Sequence, residues 1–350
     1  MTLVQTNAAS DLPRVSVALA TYNGAQYIDA QLNSLAAQTL LPAELVVSDD
    51  GSSDDTLAIV RTFSLRAPFP VRIVDKTERL GFGDNFLFAV AQCQYDVIAL
   101  CDQDDVWLPD KLRQGVRRLV ADDSLMSLHR LTLTDALLAP IGIWDQGITA
   151  DRTYEPLELD PWSGWGNTMI FRRSLATLVP PGQRPRQPEA NRPLTHDIWL
   201  YILAAGLGRV SHIVEPLILY RQHGGNALGM TKPRLGTRLR TMATVPVESY
   251  RERDVFFGAL ATTFDALSRH ADTTLAARAE AAATRYRIKQ GRARLRARIH
   301  DCASIRDRAV AFWRLYAVRD AADDSPVNAA SKASIAKDVV LGVTGWGRHV

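Results

Sequence analysis

Four short apolar runs, each broken by polar turn residues, organise the first hundred positions. Val15 to Thr21 (VSVALAT) is apolar and rich in β-branched residues, which predicts a buried strand. Thr21-Tyr22-Asn23-Gly24 breaks it, and Ile28, Leu32 and Leu35 then recur at helical spacing within Tyr27 to Thr39. Leu45 to Ser48 predicts a second strand, running into Asp49-Asp50-Gly51-Ser52-Ser53-Asp54. Ser53 or Asp54 is a natural cap for a helix through about Leu65. Val71 to Val74 is a third strand, and Asp84 or Asn85 can cap a helix through Gln92. Val97 to Leu100 is the fourth. Strands alternating with helices of about ten residues predict βαβ units and a parallel sheet.

The fourth run feeds Leu100-Cys101-Asp102-Gln103-Asp104-Asp105-Val106-Trp107, with three carboxylates in four residues. A buried strand cannot hold unpaired carboxylates, because desolvating them is too costly. The strand must therefore end there and present them to a cation or to water. On an extended chain residues i and i+2 point the same way, so Asp102 and Asp104 can face one point. Hard divalent cations take carboxylate oxygens and keep phosphate oxygens as further ligands. A solvated acidic turn is the plain alternative. Ligands of such sheets bind beyond the carboxyl ends of the strands. Thr21-Tyr22-Asn23, Asp49-Asp50 and Asp102-Gln103-Asp104 all fall on that edge.

Asp110 to Val120 predicts a helix with Leu112, Val116 and Leu119 inward. Residues 121–162 are least legible, with strand character at Leu128 to Thr134. Gly166 and Asn167 lie in a small, aromatic stretch. Pro180 to Pro193 carries five prolines and predicts an exposed loop. His196-Asp197 opens a helix ending at Gly206, and Asp197 in the first turn suits the helix dipole. It could equally serve as a general base. Val210 to Tyr220 is apolar and interrupted by Pro216. Arg221, His223, Gly224 and Gly225 then suit a loop that contacts anions and metals. From 251 to 320 Phe256, Leu260, Phe264 and Leu267 repeat at helical spacing, as do Leu295 and Ile299 among Arg292, Arg294, Arg296 and Arg298.

Composition changes this picture in three places. No apolar stretch approaches the roughly 20 residues of a bilayer span, and Met1 to Pro13 is too polar for a secretory signal. Cys93, Cys101 and Cys302 form neither a disulfide framework nor a zinc spacing, so a reducing cytoplasm is expected. Residues 231–350 hold 22 Lys and Arg against 12 Asp and Glu, while the first 230 residues carry net negative charge. That asymmetry fits either an anionic partner, such as a membrane surface, or a solvated helical face. Interleaved base-stacking aromatics are missing, so nucleic acid is not expected as a partner. Neither G-x-G-x-x-G nor G-x-x-x-x-G-K-[ST] occurs, so a diphosphate would need another device for its charge.

TYNG (21–24), SDDGSSDDT (48–56), LCDQDDVW (100–107), HDIWLYILAAGLGR (196–209) and PLILYRQHGGNALG (216–229) together resemble inverting family 2 glycosyltransferases, and most of all the bacterial rhamnosyltransferase-like members. The resemblance covers about residues 14–230. It implies an α/β GT-A (Rossmann-like) mixed sheet flanked by helices, with an α-helical C-terminal region. The organisation it implies is a flexible N-terminus (1–13), a GT-A domain (14–230), a basic helical region (231–341) and a tail (342–350). Thr21, Tyr22 and Asn23 would hold the nucleoside, and Asp49 and Asp50 the base and ribose. Asp102 and Asp104 would be the DXD motif, binding Mn²⁺ or Mg²⁺ on the donor diphosphate, with His223 on the metal side and Arg221 toward the phosphates. Gly166 and Asn167 would lie near the transferred sugar or the acceptor, and Asp197 would be the catalytic base.

The activity implied is metal-dependent inverting transfer of a sugar, rhamnose among the candidates, from a nucleotide-sugar donor to a cell-surface polysaccharide or lipid-linked glycan. The location implied is cytoplasmic, with peripheral contact at the inner face of the membrane. Two alternatives stay open: a catalytically silent sugar-nucleotide-binding protein, and a nucleotidyltransferase. The latter class needs a basic Gly-rich first loop that TYNG does not supply.

Overall fold

The computed structural model describes residues 12–159, 164–187, 192–223, 247–270, 272–317 and 338–343. They form two compact units, one of residues up to 184 together with 194–223, the other of 185–187, 192–193 and 247 onward. Among them no helix is long and apolar enough to cross a membrane.

The first unit is built on a ten-stranded sheet. Its leading half is parallel, in the order β3 (Val71–Val74), β2 (Glu44–Asp49), β1 (Val15–Thr21), β4 (Val97–Cys101). Helices α1 (Ile28–Ala36), α2 (Thr56–Ser64) and α3 (Phe82–Gln92) connect these strands. Every residue of β1 is buried, so both faces of the sheet are covered. Val15, Val17 and Leu19 pack with Leu32, Leu35, Val60 and Phe63 of α1 and α2 in one core. The alternate positions Ser16, Ala18 and Ala20 point to the other face, where their small size lets α3 approach.

Beyond β4 the sheet becomes mixed. Its order continues with β9 (Ile170–Arg172), β6 (Met126–Thr134), β10 (Val210–Arg221) and β5 (Val106–Trp107). β9 runs antiparallel to both β4 and β6, whereas β6 and β10 are parallel. The illegible stretch 121–162 thus contains β6, β7 (Pro140–Trp144) and β8 (Arg152–Tyr154), the last two pairing at the sides of β6 and β10. Pro216 does not break β10; the strand absorbs it as a pair of register shifts against β6. Helices α4 (Lys111–Ala121), α5 (Ser174–Thr177) and α6 (His196–Leu207) complete this unit. The expected exposed loop at 180–193 is not exposed throughout: Arg184 is buried and its guanidinium holds the carbonyls of Pro181 and Leu194.

Two expected caps differ. α3 begins at Phe82, with Gly81 before it in the left-handed region (φ +80°). Asn85 is therefore inside the helix, and its side chain crosses to β2, where Nδ2 donates to the Ser48 carbonyl at 2.9 Å. Asp54 accepts from the backbone N–H of both Thr56 and Ala25, tying the second turn to the first.

The second unit contains α7 (Val247–His270), α8 (Thr273–Asp301), α9 (Ile305–Ala317) and a short turn of helix at Asp338–Val343. Phe256, Leu260 and Phe264 are buried, and the Phe264 ring stacks on Tyr286 with centroids 5.5 Å apart. Asp272 caps α8 by accepting from Leu275 N–H at 2.9 Å. Part of the Arg-rich face serves helix packing: Arg294 makes two 3.0 Å bonds to Asp254, and Arg296 pairs with Asp338. The tail beyond 343 and the first eleven residues lie outside the described residues.

Candidate active site

Parallel pairing decides the position of the site. Thr21 lies opposite Asp49, and Cys101 opposite Leu19, so the polar ends of β1, β2 and β4 emerge side by side. A pocket opens there, lined by Thr21, Tyr22, Asp50, Asp102, Asp104, Gly166, Asn167 and Asp197 among others. Residues about 175 positions apart in sequence therefore share one cavity. Asn23, Asp49, Arg221 and His223 do not line it.

The excluded residues build the walls. Asp49 accepts from the Thr21 hydroxyl at 2.7 Å and from the N–H groups of Gly51 and Ser52, which closes the second turn. Asn23 sits at φ 47°, a region asparagine tolerates, and its Oδ1 accepts from Ser53 N–H. Arg221 is buried: its guanidinium donates to the carbonyls of Asp104 and Ala136 and lies over the Tyr27 ring. It therefore shapes the acidic segment from behind, and the expected orientation toward phosphates is not observed. A different cation stands at the pocket. Arg79 lines it, lies 3.9 Å over the Tyr22 ring, and reaches Asp50 at 3.5 Å. Sequence reading passed over Arg79, since a lone Arg in a polar loop carries no spacing signal.

Asp50 is the buried carboxylate of the site. Burial alone would raise its pKa, but bonds from Lys76 and from the N–H groups of Leu80 and Gly81 hold it below the ordinary range. In the same pocket, Asp102 meets no hydrogen-bond donor among the described residues. Its pKa lies well above the usual carboxylate value, through burial first and then through the charges of Asp105, Asp104 and Asp197. Asp104 accepts from His223 Nε2 at 2.9 Å, and that imidazole packs on Tyr27. No group of three or more His, Cys, Asp or Glu side chains is gathered for a metal ion among the described residues. The donor chemistry still fits a divalent cation. Asp102 offers an unpartnered carboxylate whose crowding by like charges a cation would relieve.

Asp197 lines the same pocket. Its Oδ1 accepts from Ile198 N–H at 2.8 Å. The neighbouring His196 is buried and stacks on Phe86 at 4.1 Å. Burial pushes that imidazole down to about 4, so it is neutral at physiological pH. Gly166 comes close enough that a Cβ there would stand 2.8 Å from His196 Nε2 and 3.3 Å from Asp197 Cβ. Two further residues escaped the sequence reading. Gln103 bonds Tyr22, and Asp105, fully buried, accepts from Asn167 Nδ2 at 2.7 Å. Both lie in the acidic run, where the spacing singled out Asp102 and Asp104 and gave Gln103 and Asp105 no role.

Residues 16–134 match the family described as Glycosyl transferase family 2. The chain is 28% identical over 222 residues to an uncharacterized glycosyltransferase of Nostoc sp., covering 61% of this chain and 66% of that protein. It is 27% identical over 221 residues to the dTDP-rhamnosyl transferase RfbG of Shigella flexneri, covering 60% of this chain and 73% of RfbG. The chain thus spans roughly two thirds of the length of these curated relatives. Among solved structures, S. aureus TarS 1-349 in complex with UDP superposes with a TM-score of 0.51 at 16% identity, covering 96% of this chain and 92% of that one. TarS 1-349 in complex with UDP-GlcNAc gives 0.50 at 18% identity, covering 80% and 91%. The fold is therefore of the GT-A type.

Proposed function

Since residues 16–134 match the Glycosyl transferase family 2 model, we propose that the chain transfers a sugar, with inversion, from a nucleotide-sugar donor to a hydroxyl of a glycan acceptor. The observation that carries this reading is that Asp197 shares one pocket with Asp102 and Asp104, between the ends of β1 and β4 and the start of α6. The relatives support the donor class: RfbG is named a dTDP-rhamnosyl transferase, and TarS binds UDP-GlcNAc. Rhamnose is accordingly a candidate sugar.

The residues divide the chemistry. Thr21, Tyr22 and Asp50 hold the nucleoside side of the donor, with Arg79 beside Tyr22. Asp102 and Asp104, with His223 behind Asp104, would hold a divalent cation on the diphosphate. When bound there, Mn²⁺ or Mg²⁺ would offset the charge that develops on the leaving phosphate oxygen. Asp197 takes the proton of the attacking hydroxyl through Oδ2, since Oδ1 is engaged by its own helix. The hydroxyl oxygen bonds to the anomeric carbon as the bond to phosphate breaks, so one displacement inverts the centre. Gly166 and Asn167 border the sugar.

For the acceptor we propose a cell-surface polysaccharide or lipid-linked glycan, reached at the inner face of the membrane. The surplus of basic residues after 230 supports this, as do Ile305 and Trp313, more than 60% exposed on α9. Salt-sensitive pelleting with anionic liposomes is the expected result; a chain that stays in the supernatant at low salt rejects membrane contact. The donor is tested by a thermal-shift screen across sugar nucleotides with Mn²⁺, because a ligand that binds the folded state raises its melting temperature. Stabilisation by a sugar nucleotide, followed by release of its nucleoside diphosphate, is expected. No stabilisation by any member of the set defeats the proposal.

A further inference from the structure

The base of the pocket rests on a lysine that no described carboxylate pairs. Lys111, the first residue of α4, has no exposed surface, and both hydrogen bonds of its ammonium go to uncharged groups. The ammonium donates to the Asn167 carbonyl and to His129 Nε2, the latter at 3.0 Å, and lies 4.2 Å over the Trp107 ring. His129 Nδ1 stands 2.6 Å from the Arg130 carbonyl and donates to it, which leaves Nε2 free to accept from the ammonium. A buried cation surrounded by neutral partners is costly. Burial lowers the pKa of this lysine to about 7, although Cys101, Asp105 and Asp102 beside it act in the opposite direction.

The same asparagine is gripped from its other end. Asn167 Nδ2 donates to Asp105 Oδ2 at 2.7 Å, and Asp105 Oδ1 accepts from Arg221 N–H at 3.2 Å. Lys111 thus holds the backbone of Asn167 while Asp105 holds its side chain. The residue before Asn167 is Gly166, which packs directly on His196 and Asp197. A shift of this turn would be passed to Asp197 by contact, since the His196 ring is backed by Phe86 and cannot retreat.

We propose that Lys111 and Asp105 are positioning residues for sugar transfer. They clamp Asn167, so that the Gly166 turn sets the distance between Asp197 and the acidic side of the pocket. This inference rests on the transferase reading above. It assigns the pair an effect on turnover without an equal effect on nucleotide binding, since neither side chain lines the pocket.

The test measures nucleoside diphosphate release from dTDP-rhamnose and from UDP-GlcNAc with Mn²⁺, and calorimetric binding of dTDP and UDP. The full chain is compared with Lys111→Met, Asp105→Asn and the double variant. Displacement of a reacting group by about 1 Å costs about 100-fold. The expected result is therefore kcat down by about 100-fold in each folded single variant, with donor KM and nucleotide Kd within about threefold of the parent. Because both residues act on one asparagine, the double variant should be no slower than the slower single. Wild-type turnover in either folded variant, or additive losses, overturns the clamp and leaves the transferase reading standing. Equal losses of turnover and nucleotide binding also overturn it, because they mark general collapse of the pocket. If Lys111→Met does not fold, Asp105→Asn decides alone by the same criterion. A parent chain that neither binds nor hydrolyses these nucleotides overturns both proposals.

Discussion

Gln103 grips the backbone of Tyr22 with both ends of its amide: Nε2 donates to the Tyr22 carbonyl, and Oε1 accepts from Tyr22 N–H, each at 2.9 Å. The pair spans 81 residues and locks the loop after β1 to the acidic segment after β4. Gly24 lies so close to this amide that a Cβ there would come within 2.2 Å of Gln103 Oε1. The proposed nucleoside site and the proposed metal site therefore move as one piece. Gln103→Ala removes two hydrogen bonds without touching a carboxylate. The expected effect is a donor KM raised about tenfold, corresponding to about 1.4 kcal/mol, with kcat less affected. Steady-state kinetics decide it, and an unchanged KM means that the clasp has no bearing on donor binding.

Asp197→Asn keeps the size of the side chain and removes the proton acceptor. General-base loss is worth about 10²- to 10⁴-fold. Turnover should fall by that amount while calorimetry shows nucleotide binding intact. Normal turnover in this variant would take Asp197 out of the reaction.

Gly166→Ala places a methyl 2.8 Å from His196 Nε2, against a ring already backed by Phe86. The turn or Asp197 must give way. Transfer should drop by about 100-fold, and a serine at the same position should do no better. Full activity in the alanine variant would show that this wall yields freely.

Lys76 and Asp50 form an ion pair with side chains 8% and 4% exposed. Removing one partner of a buried pair costs about 3–5 kcal/mol, so Asp50→Asn should lower the melting temperature at neutral pH. The pH dependence has a definite sign. Because the folded pKa of Asp50 is lowered, its contribution is complete above the unfolded value of about 3.9 and fades as pH falls through the folded value. The melting gap between parent and variant should stay constant from about pH 8 to 5 and close only below about pH 4. A gap that closes near neutrality would point to a different group.

Chelation should stop turnover, and Mn²⁺ or Mg²⁺ should restore it. His223→Ala, which removes the partner of Asp104, should raise the Mn²⁺ concentration needed for half-maximal activity by roughly 10- to 100-fold. Full activity in excess EDTA would exclude a metal from Asp102 and Asp104.

The sequence by itself determined the alternation of elements and the edge on which chemistry would gather. Buried parallel strands read as apolar runs, and carboxylates cannot stay inside them, so Thr21, Asp49 and Asp102 had to emerge where the strands end. Local rules failed where a side chain's role depended on residues far along the chain. Alternation along an extended chain sets Asp102 and Asp104 apart from Asp105 in the sequence, but it does not say what Asp105 meets. Only the arrival of Arg221 and Asn167 turns Asp105 inward, leaving Asp102 and Asp104 to line the pocket. Lys111, at the start of a helix, carried no signal in the sequence, whereas β6 and the 166–168 turn bury it. Arg221 read as a phosphate ligand, and tertiary packing uses its fork to hold carbonyls. Hydrophobic periodicity is written in neighbouring residues and can be read there. The direction in which a polar group points is set by which partners reach it first, and those are chosen by the fold.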